Sequence, residues 1–408
     1  MQRFDGYDGA LVRALGARAL AGCTVAVGNF DGVHRGHQAL VEAARAALPE
    51  APLAVVTFEP HPRQVFQPDA PPFRLTTDAE RARRIAALGV ERLVVLPFDD
   101  RLRHMAPATF ARDVLASGQR AGSGTGDQTA ATGLGVAHVT VGADFRFGRG
   151  RQGDAEMLRR LGEALGFGVT VLPMVGDETV AQPPAKTASP HAPPHAPPHT
   201  PPPAVQPATH PATQTATAPA NARPSPWRVG RPRPARPAEP VEQAPPVYSS
   251  TAARAAVRAG RMAEAAAILG RPHAVTGPVV KGDQRGRLLG YPTANLAFGD
   301  QLIPAFGVYA ARVQVLDGPH AGWHAGVASI GERPTFGVNA PNFEVHLFDF
   351  EGDLYGTQIV CALVAYLRGE IAYTAADALV AQMDRDSAEA RAVLAGATDP
   401  PDAATARG

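Results

Sequence analysis

From Gln182 to Pro246 the chain consists mostly of Pro, Ala, Thr and His, with repeats such as PHAPPHAPPH. A segment of that composition cannot bury enough apolar surface to offset its ordering entropy, so a disordered, partly polyproline linker is expected. Whatever folds must fold on either side of it. With 408 residues and 45% hydrophobic content, two ordinary domains with real cores can be built. His191, His195, His199 and His210 could bind a transition metal, and the prolines could dock an SH3-like partner. A solvated spacer is the simpler reading.

Upstream of the tract, VAV at Val25, LAVVTF at Leu53 and LVVL at Leu93 are short, nearly continuous apolar runs, as expected of strands covered on both faces. Helical spacing follows His37 and returns from about Asp78 to Leu88. The alternation over residues 1–100 predicts an α/β domain with a parallel, Rossmann-like sheet, whose ligands should gather at the carboxyl ends of the strands. His61, between Pro60 and Pro62, lies at one such end; alone, it could simply shape a rigid loop. Between Ser117 and Leu134 the Gly- and Ser-rich sequence reads as a flexible surface loop.

The stretch Thr24 to His37, TVAVGNFDGVHRGH, runs from a strand through a Gly-bearing turn into a helix. Such a junction aims free backbone N–H groups and the positive end of the helix dipole at one spot, a site suited to phosphate. His34 and His37, three apart, can face the same anion. Either histidine alone reads as a cap or surface residue. As a zinc pair they lack the spacing of four with an intervening Glu, and Arg35 is a poor neighbour for a cation. Gly148, Gly150 and Gly153 match dinucleotide-fingerprint spacing, but six residues separate them from their strand and Arg149 and Arg151 crowd the approach.

Ser249, Ser250 and Thr251 open a helix, with Arg254 one turn in, and read locally as a cap. After Pro272 the pattern switches to period two, as in GVYAARVQV and FEVHLFDF, with turns at Asp317-Gly318 and Glu351-Gly352-Asp353. A small, closed antiparallel barrel is predicted, followed by a helix from about Ala375 to Leu394. Gly277 begins like a phosphate-binding P-loop, but Asp283 stands where Lys is needed.

The 39 basic and 38 acidic side chains nearly cancel, which argues against nucleic acid or a membrane surface as partner. Cys23 and Cys361 are the only cysteines, which suits a reducing compartment and offers neither a disulfide framework nor a metal cluster. No apolar run long enough to span a bilayer and no signal-like start is visible, so a cytoplasmic protein is expected.

Gly28-Asn29-Phe30-Asp31-Gly32-Val33-His34-Arg35-Gly36-His37 resembles the signature loop of the adenylyltransferase module in the bacterial bifunctional riboflavin kinase and FAD synthetase family. Phe58 to Pro62, Gly142 to Gly148 and Ser249 to Arg254 are similar to that module's later motifs, with Ala253 where a larger aliphatic residue is usual. Gly282 to Asn295 resembles the riboflavin kinase signature, and Arg333 to Phe336 and Asp353 to Gly356 are also family-like. The resemblance implies a Rossmann-like nucleotidyltransferase domain over 1–181, a linker over 182–246, a helical segment over 247–271 completing the first site, and a kinase barrel over 272–400.

It further implies that riboflavin is phosphorylated to FMN and FMN is adenylylated to FAD, with ATP as co-substrate and Mg2+ as the metal. His34, His37 and Arg254 would act in adenylyl transfer. Gly28, Asn29, Phe30, Asp31, Gly32, His61, Asp144, Phe145, Ser250 and Thr251 would bind its substrates. Glu344 would be the kinase base. Gly282, Arg285, Gly290, Pro292, Thr293 and Asn295 would surround its nucleotide, with Thr293 and Asn295 as hard oxygen ligands for magnesium. Two other outcomes stay open at this level: a monofunctional riboflavin kinase with an inactive first domain, and a non-enzymatic, flavin-responsive binding protein. The oligomeric state is left open.

Overall fold

The apolar runs of the first half are strands whose alternate residues enter opposite cores. In the computed structural model, which describes residues 1–5, 20–116, 133–176, 247–282, 285–335 and 338–397, six strands form one parallel sheet. They are β1 (Gln2–Asp5), β2 (Thr24–Val27), β3 (Leu53–Glu59), β4 (Arg92–Pro97), β5 (His138–Gly142) and β6 (Gly168–Leu172), in the order β1-β4-β3-β2-β5-β6. Val25, Val27, Ala54, Val56, Val94 and Leu96 fill one side of the sheet. Ala26, Leu53, Val55, Leu93 and Val95 fill the other, with Leu40, Val41 and Ala44 of helix α1 (Arg35–Ala47). Burial on both faces explains why these runs lack alternation.

The chain passes from β2 outward through β3 to β4, then returns to the far side of β2 as β5. The order therefore reverses beside β2, which places a crevice at the carboxyl ends of β2 and β5. The loops after β2, β3 and β5 carry Gly28 to His34, His61 and Asp144, so the sheet delivers the candidate residues to one edge.

The second half is a closed six-stranded antiparallel barrel. Its strands are β7 (His273–Val280), β8 (Ala294–Leu296), β9 (Gly307–Val315), β10 (Gly322–Thr335), β11 (Val338–Leu347) and β12 (Gln358–Arg368), closing in the order β8-β11-β10-β9-β12-β7. Gly277 lies inside β7, as the missing P-loop residues led one to expect. Helix α4 (Ala376–Ala395) covers the outside through Ala390 and Leu394, which pack with Ala310 and Phe348.

Between these halves, helices α2 (Ser250–Arg258) and α3 (Met262–Leu269) join one continuous core. That core runs from Leu75 and Val175 of the first half through Tyr248, Ala253, Val257 and Ile268 to Val275, Leu296 and Tyr309 of the barrel. The small Ala253 side chain is fully buried there. The expected linker with its histidines, and most of the Gly-rich loop before Leu134, lie outside the described residues. The residues that flank the tract meet: Tyr248 N–H donates to Val175 C=O at 3.0 Å.

Candidate active sites

The first candidate site grows from the β2-to-α1 junction. Phe30, Gly32 and Val33 have φ of 53°, 81° and 41°, so three residues of one short loop lie in the left-handed region. For Phe and the β-branched Val this is costly, and it persists only where surrounding contacts hold it. Asp31 supplies several of them. Its buried carboxylate accepts from Leu75 N–H at 2.9 Å, from Thr76 N–H at 3.3 Å and from Arg254 Nη2 at 2.6 Å.

His34 caps α1: its Nδ1 accepts the His37 N–H at 3.3 Å. An accepting Nδ1 leaves the proton on Nε2, so a neutral His34 presents an Nε2–H donor. The His34 and His37 rings stack at 3.7 Å, and His37 lies on Phe30 at 4.8 Å. Burial, then Arg254 and Arg271, push His34 down to about 3. Burial, then His34 and Arg254, hold His37 well below the usual range. Both imidazoles are thus neutral at pH 7, and they can serve a developing phosphate charge as hydrogen-bond donors. Gly36 between them is required sterically, because a Cβ there would sit 2.7 Å from the Tyr248 carbonyl oxygen.

His61 sits at the end of β3 and caps the short helix Pro62–Phe66, with Nδ1 accepting Arg63 N–H at 3.1 Å. Burial, then Arg254, Arg74, Arg81 and Arg63, depress it to about 3. Its ring meets Phe73 edge-on at 5.1 Å, and Arg254 lies over the same Phe73 at 5.3 Å. His34, His37, His61 and Arg254 are therefore gathered into one neighbourhood.

Arg254 is not a free cation. It is buried, bonded to Asp31 and to the Phe73 carbonyl at 2.9 Å. Ser250 likewise donates to Asp31 C=O at 2.9 Å, and Ser249 caps its helix, while Thr251 is exposed. Asn29 is exposed, with its carbonyl held by Thr57 Oγ1 at 3.1 Å. Phe30 is fully buried. After β5, Asp144 is exposed and Phe145 stacks on Phe147 at 5.6 Å. Gly148 and Gly150, at φ 72° and 62°, form a tight turn before the two-residue strand Gly153–Asp154, and no long strand leads into it, unlike a dinucleotide fingerprint.

The second candidate site lies on the barrel. Phe343, Val345 and Leu347 of β11 are buried inside, so Glu344 projects outward on the same strand. Asn295 pairs directly with Glu344 across β8 and β11. Thr293, two residues before Asn295, brings its Oγ1 to 3.5 Å from Glu344 Oε2. Asn342 Nδ2 donates to Glu344 Oε1 at 2.9 Å.

Gly282 packs on Asn295, leaving no room for a Cβ. Gly290, at φ 83°, turns the chain from the short helix Arg285–Leu288 toward Tyr291. The carbonyl of Pro292 bonds to His346 Nδ1 at 2.9 Å, and the His346 ring packs on Tyr291 at 5.0 Å. Tyr291 in turn donates to Asp384 of α4. A hydroxyl, an amide and a carboxylate on one face suit a hard cation that takes its other ligands from phosphate and water. Among the described residues no group of three or more His, Cys, Asp or Glu side chains forms a metal cluster, and no helix is long and apolar enough to cross a membrane.

Sequence reasoning missed the partners rather than the motifs. The Asp31–Arg254 pair spans the tract, and Arg74, which bonds Glu59 and lies 2.8 Å from Asp300, ties the first half to the loop after β8. Only the isolated acidic and basic residues were visible, without a local pattern to pair them.

A parallel sheet with a stacked histidine pair at its switch point, followed by a barrel carrying Thr, Asn and Glu on one face, defines a two-centre nucleotide-dependent transferase. The riboflavin kinase family model matches residues 269–394, and the FAD synthetase model matches 17–123 and 127–182. A bifunctional riboflavin kinase/FMN adenylyltransferase of Escherichia coli K12 is 32% identical over 91% of this chain and 92% of its own length. Its Pseudomonas fluorescens counterpart is 33% identical over 92% and 94%. The chain belongs to the bifunctional riboflavin kinase/FMN adenylyltransferase family. A solved structure from Streptococcus pneumoniae, described as a macrolide-efflux protein, superposes with a TM-score of 0.66 at 24% identity, covering 98% of this chain and 100% of that one. That likeness concerns the fold alone.

Proposed function

We infer that the chain carries out two successive steps on a flavin: phosphorylation of riboflavin to FMN by ATP, then adenylylation of FMN by ATP to FAD with release of pyrophosphate. The observation that carries the reading is the presence of two separate constellations: His34, His37 and His61 fall within the segment matched by the FAD synthetase model, and Thr293, Asn295 and Glu344 within that matched by the riboflavin kinase model.

In the first step Glu344 accepts the proton of the ribityl hydroxyl as its oxygen attacks the γ-phosphorus and ADP departs. Asn342 orients the carboxylate for this task. Thr293 and Asn295 would hold magnesium, which when bound neutralises the charge of the ATP phosphates. Gly282, Arg285, Gly290 and Pro292 shape the surrounding nucleotide pocket. In the second step an FMN phosphate oxygen attacks the α-phosphorus of ATP in line and pyrophosphate leaves. His34 and His37 donate hydrogen bonds to the charge that develops, and the α1 terminus adds its dipole. Arg254 acts with Asp31 to hold the loop at that site, and Gly28, Asn29, Gly32, His61, Asp144 and Phe145 line the crevice.

On this reading residues 1–181 with helices 247–271 form the adenylyltransferase and 272–400 the kinase. The supply of ATP and the two unpaired, buried cysteines favour the cytoplasm as its location. Incubation of the purified chain with riboflavin and MgATP is the test: FAD supports the reading, FMN alone would mark a monofunctional kinase, and neither product would leave only a binding protein.

A further inference from the structure

The adenylyltransferase loop is gripped by residues that lie far beyond it in sequence. Arg271 Nη2 donates to Gly32 C=O at 2.7 Å and its Nη1 to Leu269 C=O at 3.0 Å. On the opposite side of the same glycine, Gly32 N–H donates to Thr76 Oγ1 at 3.2 Å. Gln38 of α1 bridges Val33 C=O at 2.9 Å and Leu269 C=O at 3.2 Å. With Ser250 on Asp31 C=O, the carbonyls of three consecutive loop residues are each held by a side chain.

These are the residues around the left-handed positions Phe30, Gly32 and Val33. A loop held against its own backbone preference needs such clamps, and a displacement of about 1 Å at a reacting centre can cost on the order of a hundredfold in rate. Arg271 precedes the first barrel strand by two residues and lies within the segment matched by the riboflavin kinase model. It thus reaches from the foot of the barrel back into the adenylyltransferase signature loop. Its guanidinium can serve two carbonyls at once in a fixed fork, which a single-point donor cannot reproduce.

We propose that Arg271, at the junction between the helical segment and the barrel, is a positioning residue for adenylyl transfer, which fixes the Gly32 peptide so that His34 and His37 meet the α-phosphate of ATP. This rests on the reading that the first domain adenylylates FMN.

The test uses the full-length chain with Arg271→Ala and Arg271→Lys. For Arg271→Ala the expected result is a fall in kcat for FAD formation from FMN of about tenfold to a hundredfold. The KM for riboflavin and the rate of FMN formation should stay at the parent values. Arg271→Lys, able to reach one carbonyl, should recover part of the lost kcat. Parent-like FAD formation by Arg271→Ala, while the parent makes FAD, overturns the inference and leaves the function intact. An equal loss of both activities, unrecovered by Lys, would reveal a merely structural arginine and also overturn it. Absence of FAD from the parent itself would instead overturn the underlying reading, and the inference with it.

Discussion

The two centres are built in opposite ways. The candidate kinase face is assembled by neighbouring strands: Asn295 and Glu344 are paired in register, Thr293 is two residues away from Asn295, and Asn342 shares the strand of Glu344. The adenylyltransferase loop is strained, and its clamps come from Thr76, Ser250, Arg254 and Arg271, three of them from beyond the proline tract, the last at the edge of the barrel. Strand pairing fixes a site through the backbone, so its geometry survives the loss of a distant side chain. A loop in left-handed conformations depends on every tether. The first centre should consequently be the more fragile, although both rest on one core.

The largest expected effect is in His34→Ala with His37→Ala. Loss of one preorganised donor at a developing charge costs roughly a hundredfold to a thousandfold, so loss of the pair should stop the chain at FMN. Assay of riboflavin-fed reactions should show FMN accumulating; FAD at the parent rate would remove both histidines from the mechanism. Next comes Glu344→Gln, which should lower FMN formation by about a hundredfold or more while FAD formation from supplied FMN continues unchanged. A parallel fall in both steps would erase the contrast between the centres.

A smaller effect concerns pH. His34 and His61 in the first site, and His273 at the start of β7, are depressed to about 3, and His37 lies well below its usual value. For His273 burial dominates, followed by Arg271 and Arg84. A histidine whose folded value lies below its unfolded one, near 6.5, contributes stability that is complete above about pH 6.5 and is lost as pH falls toward the folded value. Each should contribute a slope of up to about 1.4 kcal/mol per pH unit in that window. Thermal midpoints measured from pH 7 to pH 5 should therefore fall, and fall less steeply in the His34→Ala, His37→Ala variant. An identical pH slope in parent and variant would show that these imidazoles titrate alike in the folded and unfolded chain and would contradict their depression.

Much of this architecture is legible from sequence because the pattern and the burial coincide. The unbroken runs at Val25, Leu53 and Leu93 are sheet residues buried from both sides, and the alternation of Phe343, Val345 and Leu347 is the barrel wall. Strand β1 escapes notice because Phe4 is its only buried residue, and β6 because Val169, Val171 and Leu172 are only half-buried at the sheet edge. At the sites, loop spacing singles out His34 and His37, and resemblance to the kinase motifs singles out Glu344. It does not reveal that Asp31 faces inward onto Arg254, because that pairing is decided by tertiary packing 223 residues away.

The smallest effect is expected from the tract. Since Tyr248 and Val175 are already hydrogen-bonded, the connection between them need only turn the chain. Replacing residues 177–246 with about six Gly and Ser residues should keep both activities. It should also stabilise the fold by on the order of 2 kcal/mol through the shorter loop closure. Thermal unfolding and both product assays check this, and selective loss of FAD synthesis would give the tract a part in the first site.

The most direct measurement supplies FMN and MgATP to the parent chain and follows FAD and pyrophosphate together. A centre assembled from both sides of the tract should release one pyrophosphate for each FAD formed. FMN returned unchanged, from a preparation that still phosphorylates riboflavin, would contradict it.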